Sequence, residues 1–318
     1  MKDPYNTARP RSIFLAAGLF LCFAIFAPAG WGQDDVIRID TDLVTIPVTV
    51  LDRDGRYISK LAIGDFHIYE NGVEQEVSLF SSVETPITVM LLLDVSSSIT
   101  NAQTREMVRA ANILIQKLRP EDHLIAATYS YHVYPVVNAT KIKDLKTSIK
   151  IELQPLDAQT LVYDAVEYAL KKMRKIKGRK ALIIFGDGAD SGLSASFKST
   201  ISDAEEQEAL IYTAQIRDYP NPPYTDPKKW AKSVETATDY MKALAQKTGG
   251  RHFMIDDIAD LHNTFGEIAD ELRQQYNLGY YSNQPGKDGE RRRITVKVNV
   301  PNVAVRSRNE VIYKKSKK

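Results

Sequence analysis

Eight residues, Ile87 to Asp94, form an almost continuous apolar run that ends in a carboxylate. A strand with one face in water alternates polar and apolar residues, so an unbroken run of this length suits a strand buried on both faces at the centre of a parallel sheet. Val95-Ser96-Ser97-Ser98 follow directly. The strand delivers Asp94 to its C-terminal end, and the alternate spacing turns the oxygens of Asp94, Ser96 and Ser98 toward one point. A carboxylate and two hydroxyls make a hard-oxygen site, suited to Mg²⁺, with Mn²⁺ or Ca²⁺ as alternatives.

The pattern downstream repeats strand and helix. Helices are expected at about Gln103–Leu118, Leu161–Met173, Ser202–Leu210, Ser233–Thr248 and Leu261–Gln275. Strands are expected at His123–Tyr129, Ala181–Phe185, Ile211–Ile216 and His252–Ile255, with Tyr276–Ser282 closing the sheet. Such alternation predicts an α/β fold, a doubly wound, mostly parallel sheet covered by helices on both faces. Ligands of that architecture bind beyond the C-terminal strand ends.

A second carboxylate occupies the equivalent place in Ile183-Ile184-Phe185-Gly186-Asp187-Gly188. If the two strands are neighbours, Asp187 stands opposite Asp94. Between them in sequence, Gln159-Thr160-Leu161 opens a helix, where the Thr160 hydroxyl can reach the same ion. The competing reading is that Ser98 and Thr160 cap helices and the aspartates close turns.

The order Asp94-x-Ser96-x-Ser98, Thr160, Asp187-Gly188 resembles the metal-ion-dependent adhesion site of the von Willebrand factor type A (VWFA) domain, over about residues 86 to 280. The resemblance implies that the serines and the threonine hold the metal directly or nearly so, that the aspartates act largely through water, and that a partner's Asp or Glu completes the shell. A partner-binding rim is expected at Ser97, Gln159, Asp190, Tyr219 and Tyr224, the last two in the proline-rich stretch Tyr219–Pro227.

The flanks read as β structure. Residues 36–85 hold strand candidates at Val36–Val50 and Asp65–Tyr69, then Asn71-Gly72, a strong hairpin signal, and no helix of useful length. Residues 290–313 alternate again, at Ile294, Val296, Val298 and Val300, and a strand near Val303–Val311 is expected to pair with them. The two ends together predict a small sandwich-like accessory module around the 86–282 domain, with a basic tail at 314–318. Asp52-x-Asp54-Gly55, Asp65-Phe66-x-Ile68-Tyr69-Glu70-Asn71-Gly72 and Gln275-Tyr276-x-Leu278-Gly279-Tyr280-Tyr281 also resemble exported bacterial VWFA-related proteins of the kind common in acidobacteria.

Residues 1–29 carry Lys2, Arg9 and Arg11 before an apolar run, Ile13–Phe26, and then small residues, which reads as a secretory signal or an uncleaved membrane anchor. The expected location is therefore outside the cytoplasm: periplasmic, secreted or envelope-associated. The single cysteine, Cys22, lies inside that run, so the exported part has no thiol for catalysis, disulfide or soft metal. The whole chain's 42 basic and 40 acidic residues nearly balance, which gives no global signal for nucleic acid. Seven basic residues crowd Lys171–Lys180; they are expected on a solvated face near a helix C-terminus. No nucleophile–base pair, phosphate loop or zinc-type histidine spacing stands out. The leading expectation is a cation-dependent protein-binding or adhesion module without catalytic activity. A structural or assembly component with a purely stabilising metal, and a metal-dependent hydrolase, are the alternatives.

Overall fold

The computed structural model describes residues 43–81, 85–146, 148–151, 160–192, 194–207, 209–217, 226–284 and 286–313. In chain order the strands are β1 (Leu43–Leu51), β2 (Phe66–Glu70), β3 (Val73–Gln75), β4 (Leu79–Ser81), β5 (Ile87–Asp94), β6 (His123–Tyr129), β7 (Val133–Lys141), β8 (Arg179–Gly186), β9 (Leu210–Ile216), β10 (His252–Ile255), β11 (Tyr276–Tyr281), β12 (Arg291–Val298), β13 (Ala304–Ser307) and β14 (Glu310–Ile312). The helices are α1 (Asn101–Lys117), α2 (Val162–Met173), α3 (Phe197–Glu205), α4 (Pro227–Thr248) and α5 (Leu261–Arg273). The expected signal or anchor segment and the basic tail lie outside the described residues.

The central sheet has the order β10-β9-β8-β5-β6-β7, with only β7 antiparallel to its neighbour. As the apolar run requires, β5 sits inside it and is buried on both faces. Val89, Leu91 and Leu93 pack with Met107, Leu114, Phe265 and Ile268 of α1 and α5. Met90 and Leu92 pack on the other side with Val166 and Leu170 of α2 and Met241 and Leu244 of α4. Each fully buried side chain of this size contributes roughly 1.5–3 kcal/mol.

Two four-stranded sheets, β13-β1-β11-β4 and β14-β12-β2-β3, form the accessory module. They share one core, in which Ile46, Val48, Ile68, Leu278, Tyr280 and Ile294 meet. The Asn-Gly signal is realised as the β2–β3 hairpin, with Asn71 at φ 49° and Gly72 at φ 84°, the positive angles that a tight hairpin turn demands. The expected helix-free character of this part holds apart from one short turn of 3₁₀ helix at Ile63–Asp65.

Several expectations are corrected. The strand at Tyr276–Tyr281 does not close the central sheet; it lies between β1 and β4. The stretch near Val303–Val311 splits, β13 pairing with β1 and β14 with β12. Helix α3 starts earlier than Ser202, because Ser196 accepts the Ser199 N–H at 3.1 Å and caps it, and Leu210 belongs to β9. Helix α4 begins at Pro227, with Asp226 accepting from Lys228 N at 2.8 Å. The basic run is not wholly solvated. Lys180 Nζ donates to Met173 O and Ile176 O at 3.3 and 3.1 Å, closing the end of α2, and Arg179 donates to Thr85 O and Leu272 O at 2.7 and 2.6 Å.

The module docks on helix C-termini. Arg291 grips Glu205 at the end of α3 through two hydrogen bonds of 2.8 and 2.6 Å, Arg308 donates to Gln207 O at 2.6 Å, and Gly249 after α4 leaves no room for a Cβ beside Arg308. Helices that return to the sheet antiparallel to the strands place those ends beneath the strand N-termini. The module thus leaves the C-terminal strand ends to the loops that carry Asp94 and Asp187.

Candidate metal centre

Strands β5 and β8 are parallel neighbours with Leu93 level with Phe185, so Asp94 is level with Gly186 and Asp187 is the next residue out. The adjacency anticipated from the two apolar runs is present. Asp94 is fully buried and Asp187 is 3% exposed. Each uses one oxygen to shape its own loop: Asp94 Oδ1 accepts the Ser96 N–H at 2.8 Å, and Asp187 Oδ1 accepts the Ala189 N–H at 2.8 Å. The turn-closing reading is therefore correct for one oxygen of each. The other oxygen of Asp94, Oδ2, is buried without a hydrogen-bond partner.

The helix-capping alternative does not hold for the hydroxyls. Thr100, not Ser98, caps α1, accepting the Gln103 N–H at 3.3 Å, while the Gln103 side chain returns to Thr100 N at 2.8 Å. Residue Leu161, which cannot cap with its side chain, precedes α2, and Thr160 stands one place earlier. Ser96 Oγ and Ser98 Oγ lie 3.1 Å apart, and the Ser98 hydroxyl is near enough to the Asp187 carboxyl to favour its charged form. Asp94, Ser96, Ser98 and Asp187 thus form one contiguous oxygen cluster. Thr160 reaches the same rim through its neighbours: Leu161 N donates to Ser130 O at 3.0 Å just past β6, and Ser191 N donates to Thr160 O at 2.8 Å just past β8.

Of the expected rim, Ser97 is exposed and Asp190 is half-buried. The Asp190 carboxylate accepts the Tyr163 N–H at 3.1 Å and so ties down the first turn of α2. It also borders a hollow of about 280 Å³ shared with Gly188, Lys229 and Lys232. Gln159, Tyr219 and Tyr224 lie outside the described residues.

Three participants carry no local sequence signal. Tyr129, level with Asp94 at the end of β6, is fully buried with its hydroxyl against the Asp94 carboxyl. Gln215, level with Gly186 on β9, donates to Asp187 O at 2.8 Å and holds that loop. Gly186 itself has no space for a side chain. Only the strand order, which brings the ends of β9, β8, β5 and β6 together, reveals them.

The electrostatics favour a cation. Burial, reinforced by the charge of Asp187, raises the Asp94 carboxyl well above its usual range, and burial likewise raises Asp187. Two desolvated carboxyls side by side resist ionising together unless a positive charge joins them. The leading influences on Asp94 are burial, Asp187, Ser96 and Tyr129, with no basic side chain among them. Among the described residues no group of three or more His, Cys, Asp or Glu side chains gathers as a metal cluster, so a cation here must draw on hydroxyls, which suits a hard ion. The donor set and the orphaned Asp94 oxygen fit a divalent cation.

A parallel α/β layer with this oxygen cluster at its strand ends defines the class. The chain belongs to the von Willebrand factor type A family, whose domain model matches residues 88–267. No curated protein matches it. Among solved structures it is similar to proximal thread matrix protein 1 of the mussel byssus, at 12% identity and TM-score 0.50 over 64% of this chain and 51% of that one. A form of the mussel protein with a zinc-occupied MIDAS motif matches at 13% identity and TM-score 0.50, over 65% of this chain and 50% of that one. The chain thus spans about half the length of the mussel protein. A von Willebrand factor type A protein from Catenulispora acidiphila matches at 10% identity and TM-score 0.44, over 88% of this chain and 76% of that one.

Proposed function

We propose that this chain is an exported protein-binding or adhesion module that recognises an acidic residue of a partner protein through a divalent cation, Mg²⁺ first, with Mn²⁺ or Ca²⁺ able to replace it. Asp94, Ser96, Ser98, Thr160 and Asp187 would hold the ion, whose residual positive charge, left by so few direct carboxylates, supplies an acceptor for an incoming Asp or Glu oxygen. The observation that carries this reading is the buried, unpartnered Asp94 Oδ2 beside the Ser96–Ser98 hydroxyl pair.

The chain's own residues prepare the site for that task. The Ser96 N–H fixes the Asp94 carboxyl, Gln215 fixes the Asp187 loop, and the Thr100–Gln103 cap holds the serine loop against α1. A set pre-ordered in this way avoids much of the entropy that loop ordering would cost on binding. The reading is recognition without catalysis. Export rests on the basic, apolar and small-residue order of residues 1–29; among the described residues no helix is long and apolar enough to cross a membrane.

Water-proton relaxation of Mn²⁺ bound to the full chain tests the reading. An open coordination position gives enhanced relaxation that falls when a peptide containing Asp is added and stays when its Asn counterpart replaces it. Enhancement that neither peptide lowers would mean an ion that takes no partner carboxylate, and absence of enhancement would mean a closed shell; either result favours a purely stabilising ion.

A further inference from the structure

Beside the metal centre, the outer flank of α1 and the segment 148–151 enclose an open groove of about 380 Å³. That volume falls within the roughly 300–1,000 Å³ of ligand pockets. Its floor is apolar, from Val108 on the helix and Ile149 and Ile151 on the segment, and its walls carry Arg105, Arg109 and Lys150. The groove is built rather than incidental. The Asn112 side chain donates from Nδ2 to Ile149 O at 3.4 Å and accepts the Ile149 N–H at 3.0 Å, so one residue of α1 pairs the segment as a neighbouring strand would.

The charges of the walls are largely uncommitted. Arg109 pairs with Glu106 at 2.6 Å, one helical turn away. Arg105 and Lys150 are exposed and have no ion-pair partner among the described residues. Three cations over an apolar floor suit a ligand that carries both carboxylates and aliphatic side chains. One end of the groove also lies three residues along the chain from Ser98 of the metal centre. Asn101, which lines its upper end, is the first residue of α1, next to the Thr100 cap that closes the Ser96–Ser98 loop. From Asn101 to Arg109 the helix advances only about 12 Å, within reach of four extended residues at ~3.3 Å each.

We propose that this groove is the second anchor of the partner recognised at the metal centre, and that it takes the apolar and further acidic residues of the same extended peptide segment. The inference rests on the metal-site reading for the first anchor, while the groove supplies the partner's chemistry: one carboxylate for the ion, followed by aliphatic side chains interspersed with acidic ones.

The test is selection of peptides of about ten residues, long enough to span the helix flank when extended, from a displayed random library on the full chain in Mg²⁺. The peptides are then titrated against Arg105→Glu/Lys150→Glu, Val108→Asp and Asp94→Ala variants. The enriched peptides are expected to combine Asp or Glu with aliphatic residues. The charge reversal and Val108→Asp are each expected to weaken them at least about tenfold with Mn²⁺ affinity unchanged, and bound peptide is expected to slow amide exchange at 105–112 and 149–151. Failure to enrich peptides of that composition, or equal binding to the charge-reversed variant, overturns the groove. If Asp94→Ala abolishes binding while the groove variants do not alter it, the metal reading stands and the groove falls. If binding persists in chelator yet falls with reversed charge, the groove stands and its link to the metal falls. Charge-sensitive binding to phosphatidylglycerol vesicles in place of any peptide would overturn the peptide assignment.

Discussion

Gly186 is packed directly against Asp94: a Cβ at Gly186 would lie 2.6 Å from Asp94 Oδ2 and 2.5 Å from the Tyr129 hydroxyl. All three are buried, so none can swing into solvent to make room. The glycine is required for the close approach of β8 to the end of β5, not for an unusual backbone angle. Gly186→Ala is expected to cost about 1–3 kcal/mol by overpacking and to weaken cation binding as the Asp94 carboxyl is displaced. Denaturant melts and Mn²⁺ titration of the variant check both; natural stability together with natural affinity would show that the contact has no such role.

The Asp94 carboxyl is pushed up to about 7, by burial first and then by the charge of Asp187. An acid whose folded-state pKa lies above its ordinary 3.8 keeps its proton in the folded chain while the unfolded chain has lost it, so the contribution to metal-free stability falls as pH rises from about 4 to about 7. Asp94→Asn has no proton to lose. Its stability relative to the natural chain in chelator is expected to improve across that window, by at most about 1.4 kcal/mol per pH unit. Urea melts at several pH values measure it, and a relative stability that declines with pH would reverse the assignment.

Within the sandwich, Glu70 and Arg292 are each 2% exposed and 2.6 Å apart. Tyr280 and Ser282 donate to the same carboxylate, each at 2.6 Å. Arg292→Met is expected to destabilise the chain by about 3–5 kcal/mol, because it strands a buried carboxylate. A Glu70→Leu/Arg292→Met double variant is expected to recover much of that loss. Thermal melts decide, and a double variant as unstable as the single one would assign the cost to packing instead.

What the sequence disclosed and what it hid have physical reasons. The Ile87–Asp94 run announced a central strand because burial on both faces removes alternation, and the spacing of Asp94, Ser96 and Ser98 carried the site with it. Asn71-Gly72 announced a hairpin because few other pairs tolerate two positive φ angles. Alternation alone does not say which sheet a strand joins, so Tyr276–Tyr281 was assignable only once its partners β1 and β4 were seen. Arg179 and Lys180 looked solvated in a basic run, yet their donors meet carbonyls at the ends of helices. Tyr129 and Gln215 gave no local sign, since their places follow from the order β9-β8-β5-β6.

The central claim is a divalent-cation site built on Asp94 and Ser96. Calorimetric titration of the full chain with Mg²⁺, Mn²⁺ and Ca²⁺, beside an Asp94→Ala/Ser96→Ala variant confirmed as folded by circular dichroism, tests it most directly. The account predicts saturable binding at a single site in the natural chain and none in the variant. Binding that survives unchanged in the variant, or no binding by the natural chain to any of the three ions, would contradict it.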